Sequence, residues 1–330
     1  MQTPDESGSS AAVNNARELD EFPTPATPQQ QQIDPDNPPW GVVMAVLVWL
    51  ASLFLLAIAS AVALIPYAAY RGISATSPDY PRALVEFALK DPWAIFVQVA
   101  STVPAHLFTV LIVWAVVTRF GRRRFWETLG WNWGRYFGLW TSIALGAVLF
   151  VVSSVIVHLL GGDKLTPLEE IINSSAATRY MIAGLATLTA PFVEELVFRG
   201  VLYSALQRFI GKIAAMVSGL ELQNALPPTA QLIGKTGAVI LVTILFAVVH
   251  IPQYQTNYGV IAAICLLSLS LTFIRAFSGR LLPCFVVHLV FNGIQSVIIV
   301  WQGGGHAPVT TPNQAGALFW PLLSSLHLLI

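Results

Sequence analysis

The sequence predicts an all-α, polytopic transmembrane helical bundle of seven or eight spans with a disordered N-terminal tail. Three observations carry that expectation. The 330 residues are 55% hydrophobic and only 10% charged, whereas soluble domains carry about 25% charged residues. The charges are also unevenly spread: Pro92–Thr118, Tyr136–Gly162, Thr236–Ile274 and Leu281–Ile330 hold no Asp, Glu, Lys or Arg. A bilayer core of roughly 30 Å is crossed by about 20 apolar helical residues, so these runs are long enough to span, the longest of them twice. Backbone groups in lipid must be satisfied internally, and the alternating pattern of a membrane barrel is absent, so the spans are expected to be helices.

Residues 1–39 form the first compositional block. Asp5, Glu6, Glu18, Asp20, Glu21, Asp34 and Asp36 face a single Arg17, with prolines and the run Gln29–Gln32 between them. Such a block buries too little to offset its ordering entropy and is expected to be a disordered, solvated leader. Its acidic, polar start does not resemble a secretory signal peptide. The transmembrane domain follows over 40–330. Seven spans are expected near 41–68, 93–118, 136–160, 180–207, 236–251, 257–274 and 281–302. The stretch 316–330 reaches about 22 Å as a helix, short of a full crossing, and could be an eighth, partial span.

Orientation follows from Lys and Arg in the connecting segments. Loops 119–135, 208–235 and 275–280 hold ten of them, and the loops that alternate with these hold five. The richer set is expected to be cytoplasmic, with the N-terminus inside and the chain a multi-pass protein of the plasma membrane. Net charge is zero, which makes no case for nucleic-acid binding. Cys265 and Cys284 lie inside apolar runs and read as small hydrophobes.

The fourth span carries residues that an apolar helix should exclude: Ala190-Pro191-Phe192-Val193-Glu194-Glu195-Leu196-Val197-Phe198-Arg199-Gly200. Each ionisable group at the centre of a membrane helix costs about 2.5–3.5 kcal/mol on insertion scales, so a compensating arrangement is required. At about 100° per residue, Glu195 and Arg199 lie on one face and can pair, whereas Glu194 lies about 140° from Arg199. One carboxylate therefore reads as structural and the other as free to face a cavity. The fifth span ends Phe246-Ala247-Val248-Val249-His250 before Ile251-Pro252, and a residue preceding proline disfavours helix, so this helix is expected to stop at Ile251. It is also expected to begin before Thr236, because His250 otherwise lies about 11 Å too far from the depth of Glu194 and His288. The stretch 253–257 would then line a water-filled cavity. In the seventh span, His288 and Asn292 are four apart and share a helix face. His106 and His158 stand alone in their spans and read as packing or interfacial groups.

Together these features resemble the CAAX prenyl protease and bacteriocin-processing membrane endopeptidases, also called the Abi family. That family's pattern is EExxxR, FxxxH and HxxxN on successive helices. Here it reads Glu194-Glu195-xxx-Arg199, Phe246-xxx-His250 and His288-xxx-Asn292, with a long segment near 209–235 between the first two. The resemblance covers roughly residues 180–295. It implies cleavage of peptide bonds in or near the membrane, in a membrane-associated peptide or protein of prenylated or leader type. By position it implies that Glu194 and His250 activate water, that His288 and Asn292 stabilise the oxyanion, and that Glu195 and Arg199 hold the site in shape. The HExxH helix of soluble zincins is absent. Glu194, His250 and His288 could still hold Zn²⁺, and the resemblance implies neither a metal site nor a metal-free one. Intramembrane Glu, His and Arg also mark proton-coupled transporters, although no internal repeat pairs the two halves. A non-catalytic scaffold or immunity protein would carry the same fold.

Overall fold

The structure is a computed structural model and describes residues 34–160, 166–219, 226–255 and 257–303. Among these residues there are helices and no strands. In chain order they are α1 (Val42–Tyr70), α2 (Tyr80–Lys90), α3 (Pro92–Thr118, broken at Ser101), α4 (Phe125–Leu129) and α5 (Leu139–Leu159). Then come α6 (Pro167–Ser174), α7 (Ala176–Val217), α8 (Pro228–Tyr254), α9 (Tyr258–Ser278) and α10 (Leu282–Gly303). Seven of them, α1, α3, α5 and α7–α10, are long and apolar enough to cross a membrane, and the expected spans coincide with them. The short α2, α4 and α6 lie between the crossings. Only 17–39% of each crossing window is buried within the bundle. Phe54, Val62, Trp140 and Phe273 stay more than half exposed, an apolar surface suited to lipid rather than water.

Local sequence sets the helix ends. Asp91 accepts hydrogen bonds from the backbone N–H groups of Trp93 and Ala94, and Pro92 fills the first helical position of α3, where a missing N–H costs nothing. The other Asp91 oxygen meets Arg71 at 3.3 Å, tying the end of α1 to the start of α3. Thr166 and Glu169 form a reciprocal capping box on α6. Packing centres on α7, which touches α1, α3, α8 and α10. Small residues allow the closest approaches, as in other membrane bundles. A Cβ on Gly234 of α8 would collide with the Gln207 carbonyl of α7, and one on Gly146 of α5 would sit 2.9 Å from the Val287 carbonyl of α10.

Two expectations are corrected. First, α8 does not stop at Ile251; it runs through Pro252 to Tyr254. Proline removes one backbone donor, but only a turn remains beyond it, so little helix is lost. The Gln255 N–H closes that turn on Ile251 O, and Gln255, at φ +40°, ends it. The N-terminal end of α8 does begin before Thr236, at Pro228.

Second, the boundary at residue 39 lies too far along the chain. Asp34 to Trp40 form an ordered strap docked on the helices. The Asp36 carboxylate meets Arg275 at 2.7 Å and Lys235 at 3.4 Å. Arg275 also donates to Pro35 O, Gln207 to Asp36 O, Arg208 to Pro38 O and Arg119 to Pro39 O. Trp40 Nε1 donates to Val201 O of α7. Composition alone hides this, because the partners lie 80 to 240 residues away. The same contacts bring cations from all three basic loops to one end of the bundle. The expected tail over residues 1–33 and the stretch 316–330 lie outside the described residues.

Candidate active site

The polar cluster is built on α7, which is not a uniform α-helix. It has π-helical turns at Leu185–Thr189 and Glu195–Leu202, flanking the α-helical Ala190–Glu194. Such turns inside a long helix are often found at functional sites. Here the junction falls between the two adjacent glutamates and directs them differently.

Glu195 is sealed, with 0% of its side chain exposed. Its Oε1 accepts from Arg199 Nη1 at 3.0 Å and from His288 Nδ1 at 2.9 Å. Arg199, equally sealed, donates to Ser268 Oγ at 2.7 Å, to Ser268 O at 3.2 Å and through Nε to Thr272 Oγ1 at 3.2 Å. Its guanidinium lies 4.5 Å from the centre of the Phe246 ring, a cation–π contact worth about 2 kcal/mol when desolvated. A buried ion pair is tolerated only when the remaining donors are satisfied as well. Ser268, Thr272 and Phe246 do that here. Ser268 and Thr272 were not singled out in the sequence, although two hydroxyls four residues apart on an apolar helix are a readable signal of an inward polar face.

Glu194 is one-quarter exposed, and its Oε2 lies 3.7 Å from His288 Nε2. His288, only 2% exposed, therefore stands between the two carboxylates. Phe246 is the hub of the cluster. His250 stacks on it with ring centroids 4.5 Å apart, and His288 meets its edge at 6.1 Å. The His250 Nδ1–H donates to the Phe246 carbonyl at 2.7 Å, which leaves Nε2 of the neutral ring as an acceptor. Asn292 donates from Nδ2 to Ala186 O, within the first π-helical turn of α7. An amide nitrogen carries two hydrogens, so one remains. The six residues thus separate by access. Glu195, Arg199 and His288 are buried, whereas Glu194, His250 and Asn292 are only half-buried.

As for a metal, Glu195 Oε2 is buried without a hydrogen bond among the described residues. Among those residues, however, no three His, Cys, Asp or Glu side chains form a metal-holding group. The candidate trio Glu194, His250 and His288 is not gathered into such a group among the described residues, and no step is assigned to a metal. An apolar groove of about 890 Å³ runs between Ala183 and Thr187 of α7 and an α10 face that includes Leu289, Val290, Gly293 and Trp301, its lining beginning again one residue after Asn292.

Comparison with known proteins gives one family. Residues 176–294 match the family described as type II CAAX prenyl endopeptidase, Rce1-like. No curated protein and no solved structure matches the chain. The match opens on the first residue of α7 and closes two residues after Asn292, so it takes in all six polar residues. Residues 176–294 are thus a domain of the type II CAAX prenyl endopeptidase, Rce1-like, family, and the protein is a multi-pass intramembrane peptidase.

Proposed function

We propose that this peptidase hydrolyses a peptide bond of a membrane-associated substrate with Glu194 as general base and His250 as its partner. The observation that carries the reading is the division between the adjacent glutamates: one sealed in an ion pair, the other open and beside a histidine. Glu194 takes a proton from water while His250 Nε2 accepts the second O–H. The hydroxide oxygen attacks the scissile carbonyl carbon. The second Asn292 N–H donates to the oxyanion, and such a donor contributes about 3–4 kcal/mol in other hydrolases. His288 adds positive polarisation beside Glu194 when it carries both ring protons. Glu194 then passes its proton to the leaving nitrogen as the C–N bond breaks, releasing a carboxylic acid and an amine. Glu195 and Arg199 hold His288 and Phe246 in place throughout.

The apolar groove between α7 and α10 favours a substrate with a lipid tail, a prenylated C-terminal peptide before a leader peptide. Three loops that together hold ten cations, four of which, Arg119, Arg208, Lys235 and Arg275, bind the Asp34–Trp40 strap, support a cytoplasmic strap at the plasma membrane. The test uses purified protein in liposomes with a fluorogenic farnesylated CAAX peptide and, separately, a leader peptide. Cleavage of the first, lowered about 10³-fold by Glu194→Gln in folded protein, is expected. Equal cleavage by parent and Glu194→Gln overturns the assignment of the base. Proton-driven flux without cleavage favours the transporter, and neither activity favours the scaffold.

A further inference from the structure

One buried histidine near α7 has no part in that mechanism. His106 lies in the Thr102–Thr118 segment of α3 and is 8% exposed. Its Nδ1 is 3.0 Å from Thr189 Oγ1. Thr189 closes the first π-helical turn of α7, and only the five residues Ala190–Glu194 separate it from the end of the α-helical segment that carries the base. His106 Nε2 makes no hydrogen bond among the described residues.

A buried imidazole must have a reason to be there, since an unpaired polar group in an apolar interior costs free energy that a leucine would not. Glu194 shows why this position needs an anchor. Its carboxylate makes no hydrogen bond within 3.5 Å among the described residues, and the nearest partner, His288 Nε2, stands at 3.7 Å, beyond hydrogen-bond length. The segment beneath it is weakened as well. Pro191 offers no N–H, so the helical ladder lacks a bond there. The aim of Glu194 therefore depends on how its short segment is held at the upstream end, and the His106–Thr189 bond is a side-chain tie from another helix at that end. We propose that His106 is a positioning residue of the peptidase site: through Nδ1 it fixes Thr189, and with it the Ala190–Glu194 segment that points Glu194 at His288 and the attacking water. Displacing a reacting group by about 1 Å can cost about 10²-fold in rate, so the tie matters to turnover far more than to substrate binding.

The inference rests on Glu194 being the base, and its test separates the two. In liposomes with the farnesylated fluorogenic peptide, His106→Leu is expected to lower kcat about 10- to 100-fold with KM essentially unchanged. His106→Asn places an amide group near the position of Nδ1 and is expected to recover most of the rate. Thr189→Val reproduces the loss and Thr189→Ser does not. An experimental structure of His106→Leu is expected to show Glu194 turned away from His288. A kcat for His106→Leu within about twofold of the parent, or an Asn variant no better than Leu, overturns the proposal, because a packing role predicts both. If parent and Glu194→Gln cleave equally, the reading of the base has failed instead. The Glu194–His288 separation in the His106→Leu structure then decides the positioning role alone, and an unchanged separation overturns it.

Discussion

Replacing Asp36 by Asn tests the strap directly. Arg275 is fully buried on α9, and the Asp36 carboxylate at 2.7 Å is its ion-pair partner. The remaining Arg275 hydrogen bonds go to neutral oxygens, Pro35 O and Ser204 Oγ, while Arg275 Nε has no partner among the described residues. Removing one member of a buried pair costs about 3–5 kcal/mol, because the survivor is left charged and unpaired. Asp36 is 25% exposed, so water screens part of that, and about 2–3 kcal/mol is a fairer magnitude. At about 2–4 °C per kcal/mol, the midpoint should fall by roughly 5–10 °C. Burial pushes the Asp36 carboxyl up, but Arg275 and Lys235 outweigh it and hold it below the ordinary carboxylate value. A lowered folded-state pKa means that the stabilisation is complete above about pH 4 and is lost as pH falls through the lower value. The parent should therefore destabilise below pH 4, and Asp36→Asn should flatten that decline. Thermal unfolding in detergent, followed by tryptophan fluorescence, measures both. A second series with Arg275→Met isolates the pair, since Asp36→Asn should cost little once the arginine is gone. A midpoint within 1 °C of the parent, or an equal loss in the Arg275→Met background, would refute the argument.

Other outcomes follow from the same geometry. Glu195→Gln leaves Arg199 buried without a counter-ion and should destabilise the protein by about 3–5 kcal/mol; unfolding midpoints check it, and a shift no larger than that of Glu194→Gln would count against the division of roles. Phe246→Leu removes the ring under Arg199 and His250 and should lower both stability, by about 2 kcal/mol or more, and cleavage, read by unfolding and turnover of one preparation. Trp131→Cys should be labelled by an impermeant maleimide only in inverted vesicles, since it lies in the arginine-rich loop 119–135; labelling from outside intact cells reverses the orientation. Cleavage should survive chelation, and one tightly bound Zn²⁺ per chain, lost together with activity, would reverse that expectation.

The membrane crossings were legible because each writes its own signal, a long run of mostly apolar residues, with charges inside the run only where the fourth span carries Glu194, Glu195 and Arg199. The Glu195–Arg199 pair was legible for a related reason: both members sit four residues apart on one helix, where rise and rotation suffice to bring them together. What was hidden depends on partners from elsewhere. The role of Asp36 could not be read from an acidic, proline-rich leader, since Arg275 lies 239 residues on. His106 looked solitary because Thr189 is 83 residues away. The stop assigned at Ile251 weighted a local proline rule against a tertiary context that keeps one more turn of helix. His288 and Asn292 were correctly placed on one face, but nothing in their spacing foretold that one would bridge two glutamates while the other met a π-helical carbonyl.

That second π-helical turn also governs phase. Each such turn takes up an extra residue relative to an α-helix, like a single insertion. It therefore rotates everything downstream by about 100° against what an unbroken helix would present. Upstream of it, α7 aims Glu194 toward His288. Downstream, it turns Ser204 and Gln207 to Arg275 and the strap. One helix thus serves two neighbours that a regular helix of the same sequence would not face together. Between Glu195 and Gln207 the number of residues is then under constraint as well as the identity of the polar ones. Deleting any one of Leu196, Val197 or Val201, none of which carries a polar group, would swing the downstream polar face away from the strap as surely as removing the polar residues themselves.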